Sequence, residues 1–246
     1  MAYAQTNGSS EGMNFCFLHG IGGTPQHFDP LVSELLTQLD RDTRLKLPTK
    51  VPVSELKHWN SLTHGREDVG LLAAVEYIAR QVDSCDVLVG HSTGGVVALQ
   101  SVAWGMVAPR LVVIIDSNAP VGSSSLKARE RKANLASQPD WRQAMRASLA
   151  RDWDGPAEWK DRIFNDLDRT PDLPMRYIWN SVLNCDSVAL WKSLNVRGLY
   201  IRSTRSLTAS ELAEVNDLVS HVEIRGGHWP HVSKPATVAT AIRLWL

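Results

Sequence analysis

The sequence has 246 residues, 43% of them hydrophobic, and its 26 basic and 26 acidic side chains cancel to a net charge of zero. A chain of this length and apolar content can form one α/β domain with a sizeable core. Its balanced charge, without a run of lysine or arginine, disfavours a nucleic-acid or membrane partner, and no apolar run approaches the length of a membrane span.

The N-terminus and the cysteines indicate the compartment. Residues 1–12 are small and polar and lack the basic start and apolar stretch of a signal peptide. Cys16, Cys85 and Cys185 are widely spaced and odd in number. They predict buried free thiols in a reducing compartment, not a disulfide framework or a metal site. We therefore predict a soluble, cytoplasmic protein.

The first predicted strand covers residues 14–18 and leads into a turn at 19–23 with the sequence His-Gly-Ile-Gly-Gly. Thr24 and Pro25 are typical of a helix start and predict a helix over 26–39. Glycines in such a turn let backbone amides approach a carbonyl oxygen closely. An ordinary tight turn would also explain the glycines.

Two further elements precede the next motif. Residues 43–47 predict a second strand, which Pro48 and Pro52 end in a loop. Helical periodicity over 68–82 then leads to an apolar, β-branched run at 86–89. Strands that alternate with helices predict a parallel sheet with helices on both faces.

The run at 86–89 enters the turn Gly-His-Ser-Thr-Gly-Gly at residues 90–95, which has the G-x-S-x-G spacing with Ser92 at its centre. A serine at the tip of a tight strand-to-helix turn has strained backbone geometry, so its neighbours must be small. The helix that follows points its unpaired amides and positive dipole end at an oxyanion beside the serine. By itself the spacing also fits a glycine-rich turn in an ordinary α/β protein.

The next predicted strand, Leu111–Ile115, is fully apolar and ends at Asp116, as expected for a parallel strand covered on both faces. A polar, helix-prone stretch follows over 121–191. It carries five tryptophans: Trp141, Trp153, Trp159, Trp179 and Trp191. Because ligands bind at the C-terminal ends of strands in open α/β sheets, we predict that 121–191 is a helical lid inserted into a core of 1–120 and 192–246. Plain surface helices are the alternative.

The last part of the chain predicts a strand at 197–202, a helix from 208 or 210 to 218, a strand at 221–224 and a helix at 236–246. His228 follows two glycines, which let the backbone bend and bring the ring inward. A neutral histidine there could accept the Ser92 proton and deliver it to the leaving group. We expect replacement of His231 to be milder. Surface or capping roles are predicted for His27, His58, His64 and His221.

The turns at 19–23 and 90–95 and the ending Gly-Gly-His-Trp-Pro-His at 226–231 together resemble the α/β-hydrolase superfamily. The resemblance extends over nearly the whole chain from residue 14, and it is closest to small, lidded, cofactor-free esterases and carbon–carbon hydrolases. It implies a mostly parallel sheet flanked by helices, a Ser-His-acid triad under a cap, an acyl-enzyme, and no metal or organic cofactor. The chain order of serine, acid and histidine fits. A serine nucleophile disfavours the epoxide hydrolase and haloalkane dehalogenase branches, which use aspartate.

The sequence departs from this family in two places. Relatives usually carry an aspartate shortly after the strand at 197–202, where this chain has Ser206. Asp116 is the substitute, at a position that some members use, and it could hold the Nδ1–H of His228. A cap or pocket role is its alternative. The Asp-x-x-Gly-x-Gly run is replaced at 47–50, so a relative's substrate cannot be transferred.

The resulting hypothesis is a serine hydrolase that cleaves an ester, thioester or lactone of a small hydrophobic metabolite. Ser92 attacks, His228 is the base and Asp116 orients it, while the backbone amides of Ile21 and Thr93 form the oxyanion hole. The candidate pocket residues are Phe28, His91 and Trp229, and the lid tryptophans could face an aromatic or polyketide-like acyl group.

Other functions stay open at this point. A cyclase, an acyltransferase or a carbon–carbon hydrolase could use the same triad, since the sequence does not report whether water reaches the acyl-enzyme. A ligand-binding or sensing protein on a hydrolase scaffold is the alternative from a different class. A small-molecule acyl substrate is the partner implied, and the chain would act as a monomer or homodimer.

Overall fold

The computed structural model describes residues 13–39, 71–81, 85–117, 119–136, 138–203 and 207–246. Within these ranges the centre is a five-stranded, fully parallel sheet in the order β1-β2-β3-β4-β5. The strands are β1 Phe15–Leu18, β2 Val87–His91, β3 Leu111–Ile115, β4 Arg197–Arg202 and β5 Val219–Glu223. A parallel sheet flanked by helices confirms the predicted α/β class.

The described helices follow the strands in chain order. A 3-10 helix at Pro25–Phe28 leads into α1 Asp29–Leu39, and α2 Leu71–Gln81 and α3 Thr93–Ala103 flank β2 in the chain. Between β3 and β4 lie α4 Ser123–Ala136, α5 Trp141–Arg151, α6 Ala157–Arg169, α7 Asp172–Asn184 and α8 Ser187–Ser193, which we call the inserted helices. The remaining helices are α9 Ala209–Ala213, α10 Pro230–Ser233 and α11 Pro235–Arg243.

Side chains alternate between the two faces of the sheet, so each strand contributes to two cores. On β2, Val87 and Val89 pack in the core shared with α1 and α11, whereas Leu88 packs in the core shared with α2 and α3. Val113 and Val112 of β3 divide between the same two cores. Both faces of the sheet are therefore dry, which explains why these strands are continuously apolar.

The inserted helices have a core of their own. Its buried members include Trp141, Met145, Phe164, Leu167, Met175 and Trp179. Trp229 and Val232, which follow β5 in the chain, join this cluster. The inserted helices therefore pack on the segment that carries His228.

Several predicted bounds differ from the structure. The helix expected over 26–39 begins as a 3-10 turn, and Thr24 makes no capping hydrogen bond, because its hydroxyl faces Asp166 of α6 instead. The helix α9 ends at Ala213, not at 218. Three residues further on, the side-chain amide of Asn216 donates to the carbonyls of Trp191 and Leu194 and holds the chain away from a helical continuation.

Other predictions lie outside the described residues: the strand at 43–47, the loop at 47–50 and Ser206. The last strand begins at Val219 and not at 221. All three cysteines are free thiols. In the described ranges, no helix combines the length and apolarity needed to cross a membrane.

Candidate active site

Ser92 lies at the sharp turn between β2 and α3, with φ 52° and ψ −118°, in the region that side chains other than glycine rarely adopt. The glycines of the motif have a steric cause. A Cβ at Gly90 would lie 2.5 Å from the carbonyl oxygen of Gly94, and one at Gly94 would overlap the carbonyl of Leu18. The turn can therefore be this tight only with glycine at both positions.

The structure brings Ser92, His228 and Asp116 into one line of hydrogen bonds. Ser92 Oγ lies 3.0 Å from Nε2 of His228, and Nδ1 of the same ring lies 2.7 Å from Oδ2 of Asp116. Their relative exposures are 4%, 2% and 0%. In this arrangement the serine hydroxyl can donate to Nε2 while Nδ1–H donates to the carboxylate.

The carboxylate and the histidine loop are held by residues from neighbouring strands. Asp116 follows β3 with φ 42°, and the amide of Ser203, at the end of β4, donates to its Oδ1 at 2.8 Å. The Ser203 hydroxyl donates to the carbonyls of Gly226 and Gly227 at 2.8 and 2.5 Å. His91 Nε2 donates to the carbonyl of His228 at 2.8 Å. Sequence reasoning missed Ser203, which no motif marks.

The two predicted oxyanion donors belong to the turns that follow β1 and β2. Ile21 belongs to the turn after β1, which the amide of Gly23 closes by donating to the Gly20 carbonyl at 3.0 Å. Thr93 is the first residue of α3, where a helix leaves its amides without an internal acceptor. Neither the Ile21 amide nor the Thr93 amide donates to another described residue. Both are therefore available to a ligand oxygen.

A cavity with about 800 Å³ of empty space, part of it open to solvent, lies against Ser92 and His228. The inserted helices contribute apolar lining residues: Leu135, Met145, Leu149, Ile163, Leu167 and Trp179. They also contribute three polar ones, Lys132, Ser148 and Asp152. The mostly apolar lining is typical of small-molecule sites.

Of the three predicted pocket residues, His91 and Trp229 line the cavity. Phe28 does not, and its assignment was wrong. The 3-10 helix turns His27 toward the cavity and Phe28 away from it, into the core beneath the sheet. There the Phe28 ring packs against Phe17 and His231, with centroids 5.1 and 4.8 Å apart.

Of the five inserted tryptophans, all of which are described, Trp179 alone lines the cavity. Trp141 and Trp191 are fully buried in the protein core, and the Trp191 indole donates to the Ala119 carbonyl at 2.8 Å. Trp153 packs against Trp229 with centroids 5.4 Å apart. Trp153 and Trp191 thus join the inserted helices to the rest of the domain, whereas Trp141 packs against Trp179 within the inserted helices.

His27, predicted as a surface or capping histidine, lines the cavity and pairs with Asp166 of α6. Its Nε2 lies 3.0 Å from Oδ2 of Asp166. This hydrogen bond holds the pKa of the Asp166 carboxyl below its usual value, although partial burial opposes the shift. Asp166 is separated from His27 by more than a hundred residues, so no local spacing could have revealed the pair.

His231 is fully buried, and both of its ring nitrogens lack a hydrogen-bond partner in the described part of the chain. Its ring packs between Phe28 and His91. Burial, reinforced by the nearby His27 and His228, lowers its pKa well below 6.5. The expectation of a mild His231 substitution needs revision, because removing this ring would leave a cavity in the core.

The described residues contain no group of three or more histidine, cysteine, aspartate or glutamate side chains arranged to hold a metal ion. The side chains and backbone amides of this site can supply a hydroxyl nucleophile, an imidazole base beside a carboxylate, and amide donors for an anionic oxygen.

Comparison with known proteins places the chain in context. A model of the Alpha/beta hydrolase family matches residues 17–241, which is most of the sequence. No curated protein sequence matches the chain significantly.

Solved structures resemble the chain over nearly its full length. A hydrolase from Oleispira antarctica has a TM-score of 0.68 at 14% identity, covering 96% of this chain and 92% of its own. MenH from S. aureus has a TM-score of 0.64 at 12% identity, covering 98% and 95%. The enol-lactonase from Burkholderia xenovorans LB400 has a TM-score of 0.58 at 15% identity, covering 98% and 93%. At such identities the likeness shows the fold alone.

Proposed function

The chain belongs to the alpha/beta hydrolase family, and from that premise we propose that it is a serine hydrolase that cleaves an ester, thioester or lactone of a small hydrophobic metabolite through an acyl-enzyme. One observation carries the proposal: the buried contacts of 2.7 and 3.0 Å that join Asp116 to His228 and His228 to Ser92. A histidine that only fills the core does not need a serine beside its second ring nitrogen. A general base must contact the hydroxyl whose proton it takes.

In the first half-reaction, Ser92 Oγ attacks the substrate carbonyl carbon as His228 Nε2 takes its proton. The carbonyl oxygen becomes an oxyanion that accepts hydrogen bonds from the Ile21 and Thr93 amides, and one such donor contributes about 3 kcal/mol in related sites. The tetrahedral carbon then expels the alcohol, thiol or lactone oxygen, which takes the proton from His228. Asp116 stabilises the imidazolium and keeps its Nδ1–H oriented.

In the second half-reaction, water attacks the acyl carbon and gives its proton to His228. Collapse of the second oxyanion releases the carboxylic acid, and the same proton restores the Ser92 hydroxyl. The burial of all three side chains supports this sequence, because electrostatic contacts are stronger where water is excluded.

The lining of the cavity supports a hydrophobic acyl group. Leu135, Met145, Leu149, Ile163 and Leu167 of the inserted helices face it, and these helices act as the lid in our proposal. An ester-type linkage also fits a fold shared with an enol-lactonase. The polar side chains Lys132, Ser148 and Asp152 leave room for one polar group on the substrate.

Labelling with a fluorophosphonate tests the proposal without knowledge of the substrate. We expect the wild-type protein to gain one phosphonyl group, read by intact mass and mapped to Ser92. Ser92→Ala should abolish labelling, and His228→Ala should nearly do so, because the hydroxyl loses its base. Ser193→Ala, which removes an exposed serine at the end of α8, is the control and should label like wild type.

An unlabelled wild-type protein that nevertheless binds a small hydrophobic ligand tightly would contradict the proposal and favour the ligand-binding alternative. If labelling succeeds, analysis of the products formed from a p-nitrophenyl ester in water and with an added alcohol separates hydrolysis from acyl transfer.

A further inference from the structure

The inserted helix α6 directly contacts the turn at residues 19–23, which carries the Ile21 amide, and the adjoining Thr24. Asp166 Oδ2 accepts hydrogen bonds from the His27 ring at 3.0 Å and from the Thr24 hydroxyl at 3.4 Å. Two elements far apart in the chain, one preceding β2 and the other following β3, are thus joined at the edge of the cavity.

The next residue of α6 touches the same turn. Gly22 has φ +63°, and a Cβ built on it would lie 2.5 Å from Cδ1 and 3.1 Å from Cα of Leu167. The turn needs glycine at this position both for its backbone conformation and for the close approach of the helix. Asp166 and Leu167 therefore fix the turn by one polar and one apolar contact.

The His27 ring transmits the polar contact to the backbone of the turn. Both imidazoles lie beside Gly23, since a Cβ built on it would be 3.1 Å from Nδ1 of His19 and 3.2 Å from Nδ1 of His27. The His19 ring is itself bonded to the Gly20 carbonyl at 2.8 Å, and the Gly23 amide donates to that carbonyl at 3.0 Å. A shift of the His27 ring would therefore release one wall of the turn.

We propose that Asp166 and His27 are a positioning pair for the oxyanion hole: the carboxylate on the inserted helix holds the histidine ring, and the ring holds the turn that presents the Ile21 amide. This inference rests on the proposed function. It makes the inserted helices part of the catalytic geometry, beyond covering the cavity.

The expected signature is a loss in the chemical step without a loss in binding. Complete removal of one oxyanion donor lowers turnover by about 10²–10³-fold. Asp166→Ala leaves the donor in place but loosens its support, so we expect a loss of about tenfold, a fraction of that range. The apolar cavity wall is unchanged, so affinity should be retained.

The experiment measures the saturation kinetics of fluorophosphonate labelling, since the phosphonyl oxygen also occupies the oxyanion hole. For Asp166→Ala we expect the maximal labelling rate to fall about tenfold with the half-saturating concentration unchanged within about twofold. Asp168→Ala is the matched control. Asp168 lies on the same helix and has the same side chain, but its carboxylate pairs with the exposed Arg146 at 3.1 Å instead of with the turn. Its labelling should match wild type.

Two further variants separate positioning from general destabilisation. Asp166→Asn keeps an oxygen that can accept from His27, so it should recover part of the rate. In His27→Ala combined with Asp166→Ala, the rate should fall no further than in the worse single variant, because the pair acts as a unit. Thermal melting of each variant shows that the protein remains folded at the labelling temperature.

The outcomes separate the two proposals. Equal maximal rates for Asp166→Ala and Asp168→Ala, with Ser92 still labelled, would overturn the positioning pair and leave the serine hydrolase standing. A loss confined to the half-saturating concentration would also overturn it, because Asp166 would then serve binding. A wild-type protein that the probe does not label would overturn both.

Discussion

Two Asp–His pairs lie near the serine turn in the described part of the chain, and their contacts are nearly equal in length. His228 is 2.7 Å from Asp116, and His27 is 3.0 Å from Asp166. The side chains of His228 and Asp116 are 3% and 0% exposed, and those of the second pair are 5% and 21% exposed. The other ring nitrogen distinguishes the two histidines, since Nε2 of His228 lies 3.0 Å from Ser92 Oγ, whereas Nδ1 of His27 would lie 3.2 Å from a Cβ built on Gly23. The contact alone therefore does not set the role of the histidine.

The two carboxylates also differ in how they are held. Asp116 follows β3 directly, and its backbone amide donates to the Ile201 carbonyl at 2.8 Å while the Ser203 amide binds its side chain. The sheet itself fixes this carboxylate. Asp166 lies on α6 and depends on the packing of the inserted helices. We therefore expect substitution of Asp116 to abolish most of the activity and substitution of Asp166 to reduce it only in part.

The largest effect should come from Asp116→Asn. An amide at this position can donate to Nδ1 and favour the wrong imidazole tautomer, which lowers turnover by about 10⁴-fold in a comparable triad. Steady-state hydrolysis of a p-nitrophenyl ester measures it. Asp166→Asn is the matched variant at the second pair, and its loss should be smaller by orders of magnitude.

Near-wild-type activity of Asp116→Asn would move the acid elsewhere. Glu211 is a poor substitute, because its carboxylate is engaged in a capping box with the backbone and hydroxyl of Thr208 at the start of α9. Glu214 is the C-cap of the same short helix. Loss of activity in either glutamate variant, with Asp116→Asn active, would contradict the assignment.

Much of the first pair and its serine could be predicted from the sequence, because each of these residues lies beside a local sequence pattern. The strained turn at Ser92 needs glycines, the strand before Asp116 is continuously apolar, and His228 follows two glycines. Chain order then assigns the roles. The five described strands and the helices α1, α2 and α11 also followed from the sequence pattern, with errors of a few residues at their ends, whereas the inserted region was expected only to be helical.

The second pair could not be predicted, because no local pattern marks it. Asp166 is one of several acidic residues on an amphipathic helix, and His27 follows an ordinary helix start. Phe28 was placed in the pocket and His27 outside it, the reverse of the structure. A 3-10 turn in place of an α-helical one rotates the two side chains.

The next effect concerns the segment that leads to His228. A Cβ at Gly227 would overlap the carbonyl of Asp152, in the turn between α5 and α6. We expect Gly227→Ala to displace the histidine and lower ester hydrolysis by about 10²-fold, the cost of a misplacement of about 1 Å. Gly227 thus allows the close approach of the turn between α5 and α6 as well as the bend of the backbone before His228.

Gly105→Ala is the control for this variant. Gly105 has φ +67°, so alanine is strained there too, but nothing lies within 4 Å of its would-be Cβ. It should lower stability without lowering activity. Equal activity of the two alanine variants would show that the turn between α5 and α6 does not constrain His228.

A smaller effect is expected in the pH dependence of stability, through His231. Burial lowers its folded pKa well below 6.5, so below that pH the unfolded chain binds a proton that the folded chain does not. Stability therefore falls as pH falls, by up to about 1.4 kcal/mol per pH unit from this residue until its folded pKa is reached. His231→Phe should flatten the slope of the unfolding free energy between pH 6.5 and 5. An unchanged slope would contradict the neutral, buried ring.

The smallest effect should be that of the second pair on the free energy of unfolding. Its size tests how weakly Asp166 is held compared with Asp116. Asp166 is partly exposed, so water screens its charge, and Asp166→Asn should lower the unfolding free energy by less than about 1 kcal/mol at neutral pH. The folded pKa of Asp166 lies below its ordinary value of 3.8, so the contribution is complete above that value and is lost as pH falls through the folded pKa. Denaturant unfolding of both proteins at neutral pH and near pH 2 measures the difference. A larger difference in acid than at neutral pH would mean that the carboxylate is strained in the fold instead of held by His27.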